Sequence, residues 1–218
     1  MAIASGRAGT MSRRGARAGC AIVLLLPLLA ASLDSDLARA DFQQAQKQLE
    51  SGDFAKALPE LQRLAEGGDA RAQDTLADLY LEGIGIGRDV PVAMSLYCRV
   101  AHQPRGGPAV MHAVWFLAEY FRTGGGVPGR AYNAGRRGDE NPLRAYFWFS
   151  IMAGQDALYE TVDERSVILG KIGVNAVGGV LYAGERIAIE EALKGWRPAQ
   201  PVDSAAACLA LPEGLPGY

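Results

Sequence analysis

The feature that most constrains this chain is that it repeats itself. Leu76-Ala77-Asp78-Leu79-Tyr80-Leu81-Glu82-Gly83 returns 41 residues later as Leu117-Ala118-Glu119-Tyr120-Phe121-Arg122-Thr123-Gly124, and each block ends on a glycine shortly after an aromatic. A second series runs in step through segments 57–65, 92–101 and 144–153. Ala57, Ala93 and Ala145 open it and Ala65, Ala101 and Ala153 close it, at spacings of 36 and then 52 residues. Periods of this size mark stacked supersecondary units, each too small to bury its own apolar face.

Within each unit the apolar rhythm is helical. Ala72, Leu76, Leu79, Tyr80 and Gly83 share one side of a first helix, and Ala93, Leu96, Tyr97, Val100 and Ala101 share one side of a second. Glycine at Gly83 and Gly124 can close the first helix in the left-handed conformation, and Gly85 and Gly87 allow a tight reversal. Asp53, Asp69, Asp89 ahead of Pro91, and Asn141-Pro142 are start signals for helices. The alanines let neighbouring helices approach closely, while the large residue at Tyr97 or Phe149 fills the space between successive pairs. Composition agrees: 49% hydrophobic residues with only 8% aromatics suits close-packed helices better than a β-sandwich. The expected fold is all-α, an α/α-solenoid of about three helix-turn-helix repeats.

These motifs carry a family resemblance. Gly52-Asp53-Phe54-Ala55-Lys56-Ala57, Ala65-Glu66-Gly67-Gly68-Asp69-Ala70-Arg71-Ala72-Gln73, Leu76-Ala77-Asp78-Leu79-Tyr80 and Gly83-Ile84-Gly85-Ile86 resemble the Sel1-like, tetratricopeptide-like repeat family over about residues 42 to 154. Ala77 and Ala118 stand where that family usually has glycine, and Leu96-Tyr97 and Trp148-Phe149 stand at its aromatic pair. The resemblance implies a concave protein-binding surface and adaptor, assembly or signalling roles outside the cytoplasm. Some Sel1-like proteins are described as binding β-lactams or wall fragments, so a cell-wall enzyme or peptidoglycan-binding protein is the alternative expectation.

The expected organisation is a signal peptide over 1–40, a solenoid over 41–198 and an aperiodic, proline-bearing tail over 199–218. Arg7, Arg13, Arg14 and Arg17 precede a short apolar run from Ala21 to Ala31, and Ala38-Arg39-Ala40 offers a small-x-small cleavage site. That places the mature protein in the periplasm or outside the cell, with no stable membrane span. Repeats are expected near 69–104 and 109–154, with an opening helix near Asp41 to Glu50. A degenerate repeat and a closing helix near Glu185 to Trp196 would occupy 155–198. Residues 128–141 insert a loop into the second repeat, and the glycines between Gly170 and Gly184 argue against a regular helix there.

No constellation of catalytic, metal or cofactor type is legible. Gly83-Ile84-Gly85-Ile86-Gly87 follows a helix and not a strand, so it reads as a turn and not as a phosphate cradle. His102 and His112 lack neighbouring carboxylate or cysteine ligands in sequence and read as surface or helix-end residues. Ser150 and Ser166 lack a nucleophile setting, and Asp163-Glu164 and Glu190-Glu191 read as solvated faces. Trp115, Trp148 and Trp196 read as core. Cys98 reads as a buried small residue, although an oxidising compartment would permit a bridge to Cys208. Without its leader the chain has five more acidic than basic residues, which gives nucleic acid no electrostatic reason to bind. The one basic concentration, Arg130, Arg136 and Arg137 with Tyr132, is the candidate contact for a protein partner.

Overall fold

A computed structural model of the chain describes residues 37–125, 141–154 and 163–198, and these residues form eight helices and no strand. They are α1 (37–50), α2 (Phe54–Glu66), α3 (Ala70–Glu82), α4 (Val90–Ala101), α5 (Pro108–Arg122), α6 (Pro142–Gly154), α7 (Glu164–Gly178) and α8 (Ala183–Gly195). From α2 to α7 each helix packs against the next, α3 against α5 and α5 against α7, and α6 also against α8. The fold is therefore all-α, a stack of antiparallel helix pairs forming an α/α-solenoid. In it α3, α5 and α7 line one side while α6 and α8 lie together on the other.

The two clear repeats are alike in backbone detail. At the end of α3, Ile84 N–H donates to Leu79 O at 3.1 Å; at the end of α5, Gly125 N–H donates to Tyr120 O at 2.9 Å. Gly83 and Gly124, which follow the aromatics, have φ of 72° and 66°. The chain then returns so that the residue capping the second helix bonds the carbonyl of the repeat's aromatic. Asp89 N–H donates to Tyr80 O and Asn141 N–H to Phe121 O, both at 2.8 Å. Each of those residues also caps its helix, Asp89 Oδ1 accepting from Val92 N–H at 3.0 Å and Asn141 Oδ1 from Arg144 N–H at 2.9 Å. The insertion changes the length of the connection without changing the anchors on either side of it. Gly85, at φ 69°, lies on Phe54, whose ring would collide with any Cβ placed there; Gly87 meets no such constraint.

The small residues lie at the seams. Ala57, Ala93 and Ala145 are fully buried, and Leu76 and Leu117 are buried in the first helices of their pairs. Leu61, Tyr97 and Phe149 occupy equivalent places four residues after those alanines, and all three are buried. The two aromatics fill the gap to the helix that follows: Tyr97 stacks on Phe116 of α5, ring centroids 4.0 Å apart, and Phe149 covers Gly173 of α7. Phe121 is buried and Tyr80 half-buried, with the Arg144 guanidinium 5.2 Å over the Phe121 ring. Gln73, also buried, donates to Ala65 O and accepts from Gln103, tying two turns together.

The structure corrects the expectation for the glycine-rich segment. Residues 164–178 and 183–195 are regular helices. A Cβ at Gly170 would strike the backbone of Met152 and Ala153, and one at Gly173 would strike the Phe149 ring. These glycines permit the close approach of α7 to α6, and that packing outweighs their poor helix propensity. Two smaller corrections follow. Asp53 does not cap α2 with its side chain but pairs with Lys56 at 2.6 Å. Cys98, fully buried, is disulfide-bonded and not a free thiol, and the other half of the bridge lies outside the described residues.

Candidate functional site

The Arg130, Tyr132, Arg136 and Arg137 loop lies outside the described residues, so the candidate site rests on the face formed by α3, α5 and α7. Its first component comes from helical spacing. Asp74, Asp78 and Glu82 recur every four residues along α3 and so share one stripe. His112 of α5 meets this stripe: its Nδ1 lies 2.8 and 3.0 Å from the two carboxylate oxygens of Asp74. Tyr97, reaching in from α4, donates its hydroxyl to Asp78 Oδ1 at 2.5 Å. Trp115, one turn along α5, stacks on the His112 ring with an interplanar angle of 26°.

The electrostatics follow from that crowding. The pKa of Asp78 is raised, mainly by loss of solvent around its carboxylate. The Tyr97 hydrogen bond and the charge of His112 oppose the shift, and repulsion from Asp74 and Glu82 adds to it. His112 is pushed above the ordinary imidazole range, chiefly by its hydrogen bond to Asp74 and against a smaller desolvation effect. The Tyr97 hydroxyl is pushed up by burial first and by the Asp78 charge second, so it remains a donor.

The second component adjoins the first. A cavity of about 280 Å³ opens between α5 and α7, lined by Met111, His112, Trp115, Met152, Arg165 and Leu169. Asp163, also lining it, caps α7 by accepting from Ser166 N–H at 2.6 Å. His112 belongs to both components, so an acidic shelf and an apolar depression are continuous through one imidazole ring.

The expectation that neither histidine has a carboxylate neighbour is corrected by His112. Asp74, Asp78 and His112 offer ligand atoms within 4.8 Å of one another, the one such metal-capable group among the described residues. The nitrogen turned toward this group is already engaged by Asp74, and Asp78 by Tyr97, so a cation would have to replace the His112–Asp74 bond. His102 is a helix-end residue, the C-cap of α4, but is buried instead of superficial: Nδ1 lies 2.9 Å from Cys98 O, its ring is edge-on to Trp148 and Trp196, and desolvation lowers its pKa. Trp148 is core, Trp196 packs over Phe147 and Trp148, and Trp115 alone of the three borders the groove. Of the remaining candidates, Ser166 is buried, Glu190 accepts from the Tyr146 hydroxyl at 3.0 Å, and Glu191 pairs with Lys194.

One sequence signal could have found this site. The 41-residue offset that aligns Tyr80 with Phe121 also aligns Asp74 with Trp115 and Asp78 with Glu119, so the polar and aromatic positions of the first helices share a face. Comparison of the chain with protein-family models, with curated proteins and with solved structures found no match.

Proposed function

We propose that the chain is an extracytoplasmic protein-interaction scaffold of the Sel1-like kind, and that the face of α3, α5 and α7 is its contact surface. The observation that carries this reading is the groove itself. A half-buried tryptophan and a partly exposed leucine flank an open apolar cavity, beside charged side chains, on the side where successive first helices align. Apolar anchors with a polar rim are the usual composition of a protein-binding patch. The disulfide at Cys98 supports a place outside the cytoplasm, where such bonds persist. Among the described residues no helix is long and apolar enough to cross a membrane.

The test is site-specific photo-crosslinking in the producing cell. A benzophenone side chain at Leu169, in the groove, should yield one discrete crosslinked species, and the same group at Glu191, on the opposite side, should not. Equal crosslinking from both positions, or none from the groove, would reject the assignment of this face.

A further inference from the structure

We propose that the partner of Cys98 is Cys208, and that their bond is a redox-opened clasp fastening the segment after α8 onto α4. The sequence holds three cysteines and Cys98 is disulfide-bonded, so within the chain its partner is Cys20 or Cys208. The face of α4 that carries Cys98 favours the second. His102, the C-cap of α4, lies one turn beyond Cys98 on the same stripe, with its Nδ1 2.9 Å from Cys98 O. Its ring meets Trp148 of α6 and Trp196, the C-cap of α8, at centroid distances of 5.9 and 5.8 Å. The chain therefore leaves α8 beside the stripe of α4 on which Cys98 sits. Cys208 follows Pro198 by ten residues. Ten residues reach about 33 Å when extended, against roughly 6 Å along the helix from His102 back to Cys98. Cys20 precedes α1, which is held against the first helices of the stack by Asp41 on Arg63 of α2 and by Phe42 under Arg71 of α3. A leader cleaved after Ala40 would also take Cys20 with it.

The bond joins parts of the solenoid that otherwise meet sparingly. Among the described residues α4 packs mainly on α3 and α5, and α8 on α6, while the Trp196–His102 ring contact links the end of α8 to the end of α4. A stack whose units touch chiefly their neighbours can open unit by unit. A bridge from position 98 to position 208 spans α5 to α8 and removes much of the freedom those helices would gain on separating. Forming it joins the two sulfurs and takes two protons and two electrons from the thiols. These pass to a protein or small-molecule disulfide, which is reduced to two thiols, and a dithiol reverses the exchange.

The experiment uses the full chain produced in an oxidising compartment. It is alkylated with iodoacetamide in denaturant, digested with trypsin without reduction and read by mass spectrometry. The expected product joins residues 89–99 to residues 195–218 through one disulfide, and a reductant should separate the two peptides. Residues 89–99 joined to residues 18–39 or to a second copy of themselves, or carrying an alkylated Cys98, would overturn the proposal. Stability is the second readout. A dithiol should lower the urea midpoint of the parent by about 1 M or more, given the length of the closed loop. Cys208→Ser removes the tail sulfur and leaves the buried Cys98 in place, so it should match the reduced parent and ignore the dithiol. A parent whose midpoint does not move on reduction, or a Cys208→Ser protein as stable as the oxidised parent, would overturn the clasp even with the linked peptide in hand.

Discussion

The α6–α7 seam makes a quantitative prediction in which two glycines of one segment respond in opposite directions to the same substitution. Gly170 lies in the interior of α7, where replacing glycine with alanine removes a helix-propensity penalty of about 1 kcal/mol, and Gly184 lies in the first turn of α8, where the gain is at most that. At Gly184 an added Cβ has nothing within 4 Å, and the gain should appear in full or nearly so. At Gly170 the same methyl would meet the backbone of Met152 and Ala153, which no rotamer change can relieve. Overpacking of this kind costs about 1 to 3 kcal/mol, and a backbone obstacle places it at the upper end. The expected net result is a loss of roughly 2 kcal/mol for Gly170→Ala against a gain of up to about 1 kcal/mol for Gly184→Ala. Urea unfolding followed by circular dichroism, with the disulfide intact, should show the two midpoints moving apart by about 1 to 2 M on a slope near 2 kcal/mol per M. Since repeat arrays can unfold in stages, coincidence of the circular-dichroism and tryptophan-fluorescence transitions is part of the assay. A Gly170→Ala protein as stable as the parent would refute the argument that these glycines exist for contact with α6.

The sequence holds only two histidines, so the remaining electrostatic predictions are readable one ring at a time. In proton NMR, His112 should titrate above the ordinary imidazole value of 6.5 and His102 below it. The stability contributed by His112 is then fully present below pH 6.5 and is lost as pH rises through its folded value, and His112→Gln should abolish that slope. His102 acts in the other direction: below pH 6.5 the unfolded chain binds its proton first, so stability falls with acidification, and the fall should shrink in a variant lacking this ring. Asp78→Asn should leave the protein at least as stable at pH 7, because a carboxylate whose folded pKa lies above 3.8 opposes folding once ionised. The advantage should fade as pH falls below that value, as thermal melts across pH 3 to 7 would show. Ala93→Leu should lower stability by about 1 to 3 kcal/mol through overpacking of a fully buried position, whereas Val92→Ala beside it, on an exposed site, should change little.

What could be read from the chain beforehand was what a single helix decides for itself. The capping aspartates Asp69 and Asp89, the glycine turns at Gly83 and Gly124, and the buried alanines at the seams all follow from local chemistry and from the period. The misread positions are those whose meaning depends on the neighbouring helix. Gly170 and Gly173 count against a helix until Met152 and Phe149 are set beside them, and then close approach becomes the reason for their presence. His112 has no acidic partner within its own turn, yet Asp74 lies 38 residues earlier on the adjacent first helix, at hydrogen-bonding distance. A sequence motif search looks along one element, whereas a solenoid builds its surfaces across elements that share a register. The useful operation is therefore to carry the repeat offset from the buried positions to the exposed ones: 74 and 78 of one unit fall level with 115 and 119 of the next. A groove assembled in that way can change its charge pattern repeat by repeat while the alanine and aromatic seams beneath it stay fixed, because the two sets of residues project from opposite sides of the same helices.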